Sequence, residues 1–214
     1  MFSRLTSAYQ WQAPELGSLT SRATQAATER TDPLEARFEV VLGIVVHGAL
    51  EDLAGTALPE DIAAYVETAQ PRWRAMASEH DLRDADVEQV VEITAQQIAS
   101  VLEDQVGRRL LSPGPDAHSE LALTAVVDGS VQNLIIDRTY LDSATGDRWV
   151  VDFKTAIPRE GVPQATFIAA ELNRYRPQLE RYGAAAAALF GQPIRLAIYF
   201  TALPRLVELD TARS

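Results

Sequence analysis

Residues 134–155 read LIIDRTYLDSATGDRWVVDFKT. Two stretches rich in β-branched and aromatic residues flank the polar break Ser143-Ala144-Thr145-Gly146-Asp147, with Gly146 as the turn residue. The pattern predicts a β-hairpin. Side chains alternate along a strand, so Asp152 and Lys154 leave one face of the second arm and Phe153 leaves the other. Asp137 belongs to the first arm.

The chain carries 19 Lys+Arg, and reading along it gives eighteen arginines and one lysine, Lys154. Where a generic positive charge suffices, this sequence uses arginine. Lysine offers what arginine does not, a compact ammonium whose pKa responds to its surroundings. The bland alternative is an ordinary surface ion pair between Asp152 and Lys154. The sharper one is a metal-assisted hydrolysis site, because carboxylates converging at strand ends repel one another unless a divalent cation neutralises them. The same repulsion predicts that Asp152→Ala raises the melting temperature without metal. Oxygen donors with an imidazole suit Mg²⁺, with Mn²⁺ as a substitute, better than zinc. A lysine beside such a cation would have its pKa lowered by metal and burial.

The 214 residues are enough for a sizeable core, and 47% hydrophobic with 23% charged residues are globular proportions. No apolar run is long enough to span a bilayer and no signal-peptide core is present at the N-terminus, so no membrane partner and a cytoplasmic location are expected. With no cysteine, disulfides, thiolate metal sites and cysteine-ligated iron–sulfur clusters are excluded. A net charge of −11 argues against gripping nucleic acid by bulk electrostatics.

Residues 1–31 read as a linker-like leader with one weak helix near 19–30, and residues 32–214 as a single domain, helical over 32–110 with a sheet core over 119–209. Thr31-Asp32-Pro33 is a helix start, and the helix runs to about residue 54 with a broad apolar stripe. It carries Gly43, His47 and Glu51 on one face; by itself His47 reads most simply as a core histidine. Short helices follow over 58–68 and 72–80, broken at Gln70-Pro71, then a longer one over 84–106. After the Ser112-Pro113-Gly114-Pro115 loop the period changes. Strands are expected over 119–127, 131–141 and 147–155, with turns at Asp128-Gly129 and Thr145-Gly146-Asp147. Helices over 166–175 and 177–189 are split at Pro177. A buried strand over 194–201 and a short edge strand over 205–209 close the chain. The order implies an α/β domain with a mixed sheet of four to five strands flanked by helices, behind an N-terminal helical extension.

Four pieces in order resemble the PD-(D/E)XK nuclease superfamily, and within it the RecB-type domain of the exonuclease V beta subunit, of UvrD-like helicases and of the AddA relatives. Residues 42–51, LGIVVHGALE, are similar to its glycine–histidine helix. Residues 134–138, LIIDR, are similar to its first acidic motif, and residues 150–155, VVDFKT, to its D-x-K motif. Residues 175–182, YRPQLERY, are similar to its glutamine–tyrosine helix. The resemblance implies a restriction-endonuclease-like core and metal binding by His47, Asp137, Asp152 and the Phe153 carbonyl. Asp137, Asp152 and Lys154 would form the catalytic set. Gln178 and Tyr182 would support the site or the DNA backbone, Tyr182 reading equally well as a packing residue. Glu120 and Arg138 would be supporting or DNA-contacting. Many relatives carry a glycine shortly before the first aspartate, where this chain reads Gln132-Asn133-Leu134-Ile135-Ile136.

The expectation is a Mg²⁺-dependent deoxyribonuclease, the nuclease module of a helicase–nuclease in double-strand-break repair and recombination. Its partners would be single-stranded DNA ends, helicase domains of the same longer chain and further subunits of such a complex. Arg138, Arg159, Arg174, Arg176 and Arg181 would line a short basic channel. The rivals are a free-standing nuclease of the same superfamily and a catalytically inactive nuclease fold serving as an interaction module.

Overall fold

The computed structural model describes residues 33–114, 116–127 and 130–210. The leader, its weak helix and the Asp128-Gly129 turn lie outside the described residues. Helix α1 spans Pro33–Leu53, α2 Ile62–Ser78, α3 Asp84–Glu103, α4 Gln105–Leu111 and α5 Gln164–Phe190. Strands β1 His118–Val127, β2 Ser130–Leu141, β3 Arg148–Lys154, β4 Ile194–Phe200 and β5 Arg205–Glu208 form one sheet in the order β1-β2-β3-β4-β5. β1, β2 and β3 are an antiparallel meander, β4 joins β3 in parallel, and β5 returns antiparallel to β4. This is the mixed α/β sheet that the element order implied, of the restriction-endonuclease-like type that the resemblance implied. Helix α5 is the crossover that a parallel β3–β4 pair requires.

Two cores sandwich the sheet. On one side α1, α3 and α4 bury Val45, Val46, Val91, Ile98 and Leu102 against Val151, Phe153, Ala197 and Tyr199. On the other, α5 sets Ile168, Leu179, Tyr182 and Ala186 against Val150, Leu196, Ile198 and Phe200. The odd residues of β3 therefore face the helical layer, and Val150 with the even positions faces α5. Gly146 takes φ +77° in the hairpin turn, a conformation that favours glycine. At Gly48 a Cβ would lie 2.7 Å from Met76 Cε, so the flexible tip of that side chain would have to shift.

Three expected boundaries are corrected. Pro71 and Pro177 lie inside α2 and α5, so each expected pair of helices is one. Both prolines, and Glu67 and Asn173 four residues earlier, are exposed, so each carbonyl deprived of its donor faces water. Burial on the opposite face outweighs the local break. The expected helix over 84–106 divides at Asp104. Its side chain accepts from the Gly107 N–H at 2.8 Å, starting α4, and from the Tyr199 hydroxyl at 2.8 Å. Gly107 allows the tight corner, since a Cβ would come 2.4 Å from the Val101 carbonyl oxygen.

Candidate active site

The β2–β3 ladder pairs Arg138 with Val151 through Leu141 with Arg148. Past it, the Phe153 N–H donates to Asp137 Oδ2 at 2.8 Å, a side-chain acceptor in place of a backbone one. This bond holds a buried carboxylate, 4% exposed, beside the end of β3. From α1, His47 brings Nδ1 to 3.6 Å from the same oxygen, its ring edge-on to Phe153. Glu120 completes the group from β1: ligand atoms of His47, Glu120 and Asp137 all lie within 4.8 Å of one another. Glu120, the third residue of β1, has φ +48°, and its neighbours Ser119 and Leu121 pair with Arg138 and Ile136. A non-glycine residue in the left-handed region is strained, and strain of this kind concentrates at functional sites.

Asp152 and Lys154 leave β3 together, their Oδ2 and Nζ 2.8 Å apart. Burial raises the Asp152 pKa, with Asp137 adding to the rise and Lys154 opposing it. Burial would lower the Lys154 pKa, but Asp152, Tyr175 and Asp137 together outweigh it, so the pKa is raised. The part of the expected lowering that burial supplies is thus outweighed by the neighbouring groups. Gln178 donates from Nε2 to Asp152 Oδ1 at 3.3 Å and to the Tyr182 hydroxyl at 2.7 Å. Tyr182 is 5% exposed, so it stands behind Gln178, out of reach of a ligand in the groove.

A groove of about 1050 Å³ runs along these groups. His47, Glu120, Asp137, Asp152, Phe153, Lys154 and Gln178 all line it. Arg138 does not. It is 3% exposed, and its guanidinium donates to Ser119 Oγ and the Ser112 carbonyl, tying β2 to the loop after α4. Of the five arginines expected in a channel, only Arg174 lines the groove, joined by Arg83. Acidic groups outnumber them, with Glu35, Glu39, Glu51, Asp86 and Glu171 on the walls.

Sequence reasoning missed four contributors. Tyr175 and Glu171 share the Gln178 face of α5 at helical spacing, a signal that was present. Glu171 is buried, which raises its pKa, while Arg174 and Lys154 lower it. Thr201 carried no such signal. Its N–H donates to the Lys154 carbonyl at 3.0 Å, and its Oγ1 lies 2.5 Å from Gln97 Oε1. Gln97 Nε2 in turn donates to the Thr155 carbonyl at 3.1 Å.

The donor set fits a hard divalent cation. It offers carboxylates and one imidazole at mutual ligand spacing, and the buried Asp152 Oδ2, although ion-paired, receives no aligned hydrogen bond.

A five-stranded mixed sheet with D-x-K at the end of β3, and a histidine and further carboxylates gathered on it, defines a restriction-endonuclease-like α/β protein. The chain belongs to the PD-(D/E)XK nuclease superfamily, whose sequence profile matches residues 5–213. That match begins within the stretch read above as a leader. Among solved structures, the chain is similar to a protein from Eubacterium rectale described as a candidate exonuclease, at 13% identity and a TM-score of 0.39. The likeness covers 72% of this chain and 61% of that one, so the chain spans less than two thirds of that protein. It is also similar to the protein SSO0001, at 17% identity and a TM-score of 0.29, over 80% of this chain and 74% of that one. No curated protein matches the sequence.

Proposed function

We propose that this chain is a Mg²⁺-dependent deoxyribonuclease of the RecB type that hydrolyses DNA phosphodiester bonds. The observation that carries the reading is the convergence of His47, Glu120 and Asp137 beside the buried Asp152–Lys154 pair on one groove. His47, Asp137, Asp152 and the Phe153 carbonyl would hold the cation, with Glu120 as a further oxygen donor. A bound divalent cation would supply Lewis-acid polarisation of the scissile phosphate.

The chain's own groups do the rest. Lys154 aligns the attacking water and offsets charge that builds on the phosphoryl oxygens as the new P–O bond forms and the leaving oxygen departs. Gln178, backed by Tyr182, keeps Asp152 turned toward the site. Phe153 keeps Asp137 in place through its N–H. Gln97 and Thr201 hold the backbone beyond β3.

The acidic groove supports a second part of the reading. Duplex binders neutralise many phosphates with basic side chains, and these walls offer Arg83 and Arg174 against more numerous carboxylates. Single-stranded ends are the substrate favoured, with other domains or subunits of a helicase–nuclease supplying the grip and raising the local DNA concentration. Cleavage of end-labelled single- and double-stranded DNA with Mg²⁺ or Mn²⁺, against EDTA, tests the reading. Metal-dependent cleavage of single strands is the expected result. No cleavage with either ion would favour the inactive fold. Tight duplex binding by the chain alone, near the 10⁻⁸ M order of dedicated binders, would favour the free-standing nuclease.

A further inference from the structure

Lys154 is fixed twice at its backbone and by one ion pair at its tip. Thr201, just past the end of β4, clamps its carbonyl, while the ammonium has the Asp152 carboxylate at 2.8 Å. That carboxylate is shared: it also receives Gln178 and is a candidate metal donor. A group that orients Lys154 without competing for Asp152 would have to be uncharged and close.

Tyr175 meets both conditions. The Lys154 Nζ stands over its ring, 3.8 Å from the centroid. The Lys154 side chain is only 16% exposed, so little water comes between. The placement follows from how α5 meets β3. Residues three apart share a helix face and residues two apart share a strand face. Gln178 therefore falls on Asp152 while Tyr175, one turn earlier, falls on Lys154. The Arg174 guanidinium lies 5.5 Å from the same ring, at the groove wall.

We infer that Tyr175 is the positioning residue of Lys154, holding its ammonium over the ring face so that it stays aimed into the groove when Asp152 is engaged elsewhere. The ring attracts the cation through its quadrupole yet carries no charge. It therefore steadies the lysine without neutralising it, which a second carboxylate would do. The inference rests on the nuclease reading above for its catalytic consequence, but the contact can be measured without activity.

The lone lysine makes the test direct. Protein grown with ¹³Cε-lysine gives one lysine methylene signal, from Lys154. Ring proximity shifts its protons upfield; Tyr175→Phe should keep the shift and Tyr175→Leu should abolish it, with or without metal. In single-stranded DNA cleavage, Tyr175→Phe should stay within about threefold of the wild-type kcat, and Tyr175→Leu should fall about tenfold or more with KM little changed. Stepwise fluorination of a phenylalanine at 175 should lower log kcat in proportion to the weakened quadrupole. Unchanged shift and kcat in Tyr175→Leu would overturn the inference. So would a Tyr175→Phe variant as impaired as Tyr175→Leu, which would assign the work to the hydroxyl. An inactive wild type that keeps the upfield signal would refute the nuclease reading and the catalytic use of the contact together. An active enzyme without the signal would refute the contact alone.

Discussion

The Phe153 backbone N–H donates to the Asp137 carboxylate at 2.8 Å, so the residue between Asp152 and Lys154 anchors the acid on the neighbouring strand. The D-x-K strand end and the first acidic motif are thus one unit. Moving either arm of the hairpin moves both carboxylates.

Asp152→Asn and Lys154→Ala should each lower the DNA cleavage rate by on the order of 10³ or more, since several kcal/mol of charge stabilisation is lost. Lys154→Arg should fail as badly, because a planar guanidinium fits neither the Asp152 contact nor the Tyr175 ring in the same way. Single-turnover kinetics on labelled single strands measure this. Carboxylate repulsion alone predicts a higher melting temperature for Asp152→Ala without metal. The 2.8 Å ion pair is expected to reverse that sign, although burial and Asp137 raise the Asp152 pKa and so favour the gain. Removing one partner leaves a largely buried ammonium, and the expected cost is about 3 kcal/mol.

Millimolar Mn²⁺ or Mg²⁺ should raise the melting temperature, by up to about 2.7 kcal/mol of stability at a hundredfold excess over Kd. His47→Ala should remove most of that gain while changing the melting temperature in EDTA far less. Scanning calorimetry with and without metal gives both numbers.

Glu120→Gly separates a ligand from a structural residue. At φ +48° the left-handed strain of a side-chain-bearing residue, about 1–2 kcal/mol, is released, while glycine's extra chain entropy takes back about 0.5–1. The melting temperature in EDTA should therefore hold or rise slightly, and the metal-induced increment should shrink. A large loss of stability in EDTA would mark Glu120 as structural.

Glu171→Gln should stabilise the protein near neutral pH. Burial raises the folded-state pKa above its ordinary value of 4.5, so the ionised carboxylate burdens the folded state once pH exceeds both values. Below 4.5 the group is protonated in both states and the advantage of glutamine disappears. The difference in melting temperature between variant and wild type should thus be positive at pH 7 and fade as the pH drops through that range.

Gln97→Leu should cost about 1–3 kcal/mol, because the Thr155 carbonyl loses its donor in a half-buried place, while Thr201 Oγ1 keeps the Lys154 carbonyl as acceptor. Denaturant unfolding measures the cost, and a slower cleavage rate at unchanged KM would tie the loss to Lys154 positioning.

Local chemistry made much of this protein legible in its sequence. The turn at Gly146, the alternation that sends Asp152 and Lys154 to one face, and the helix-to-strand change of period after α4 are properties of neighbouring residues, and the structure carries all three. The lone lysine is likewise a fact of composition. Helix continuity through Pro71 and Pro177 was not legible, because a local break is outvoted by apolar burial on the far side of each helix. Arg138 stands next to Asp137 in sequence, yet it turns into the protein toward Ser112 and Ser119. Only packing places those partners. The Tyr175 ring over Lys154 and the Thr201 hydroxyl behind it needed the parallel β3–β4 pair and its α5 crossover. Such contacts join residues 21 and 47 positions apart, and the sequence holds no local energy term that links them. The tertiary fold alone brings them within bonding distance.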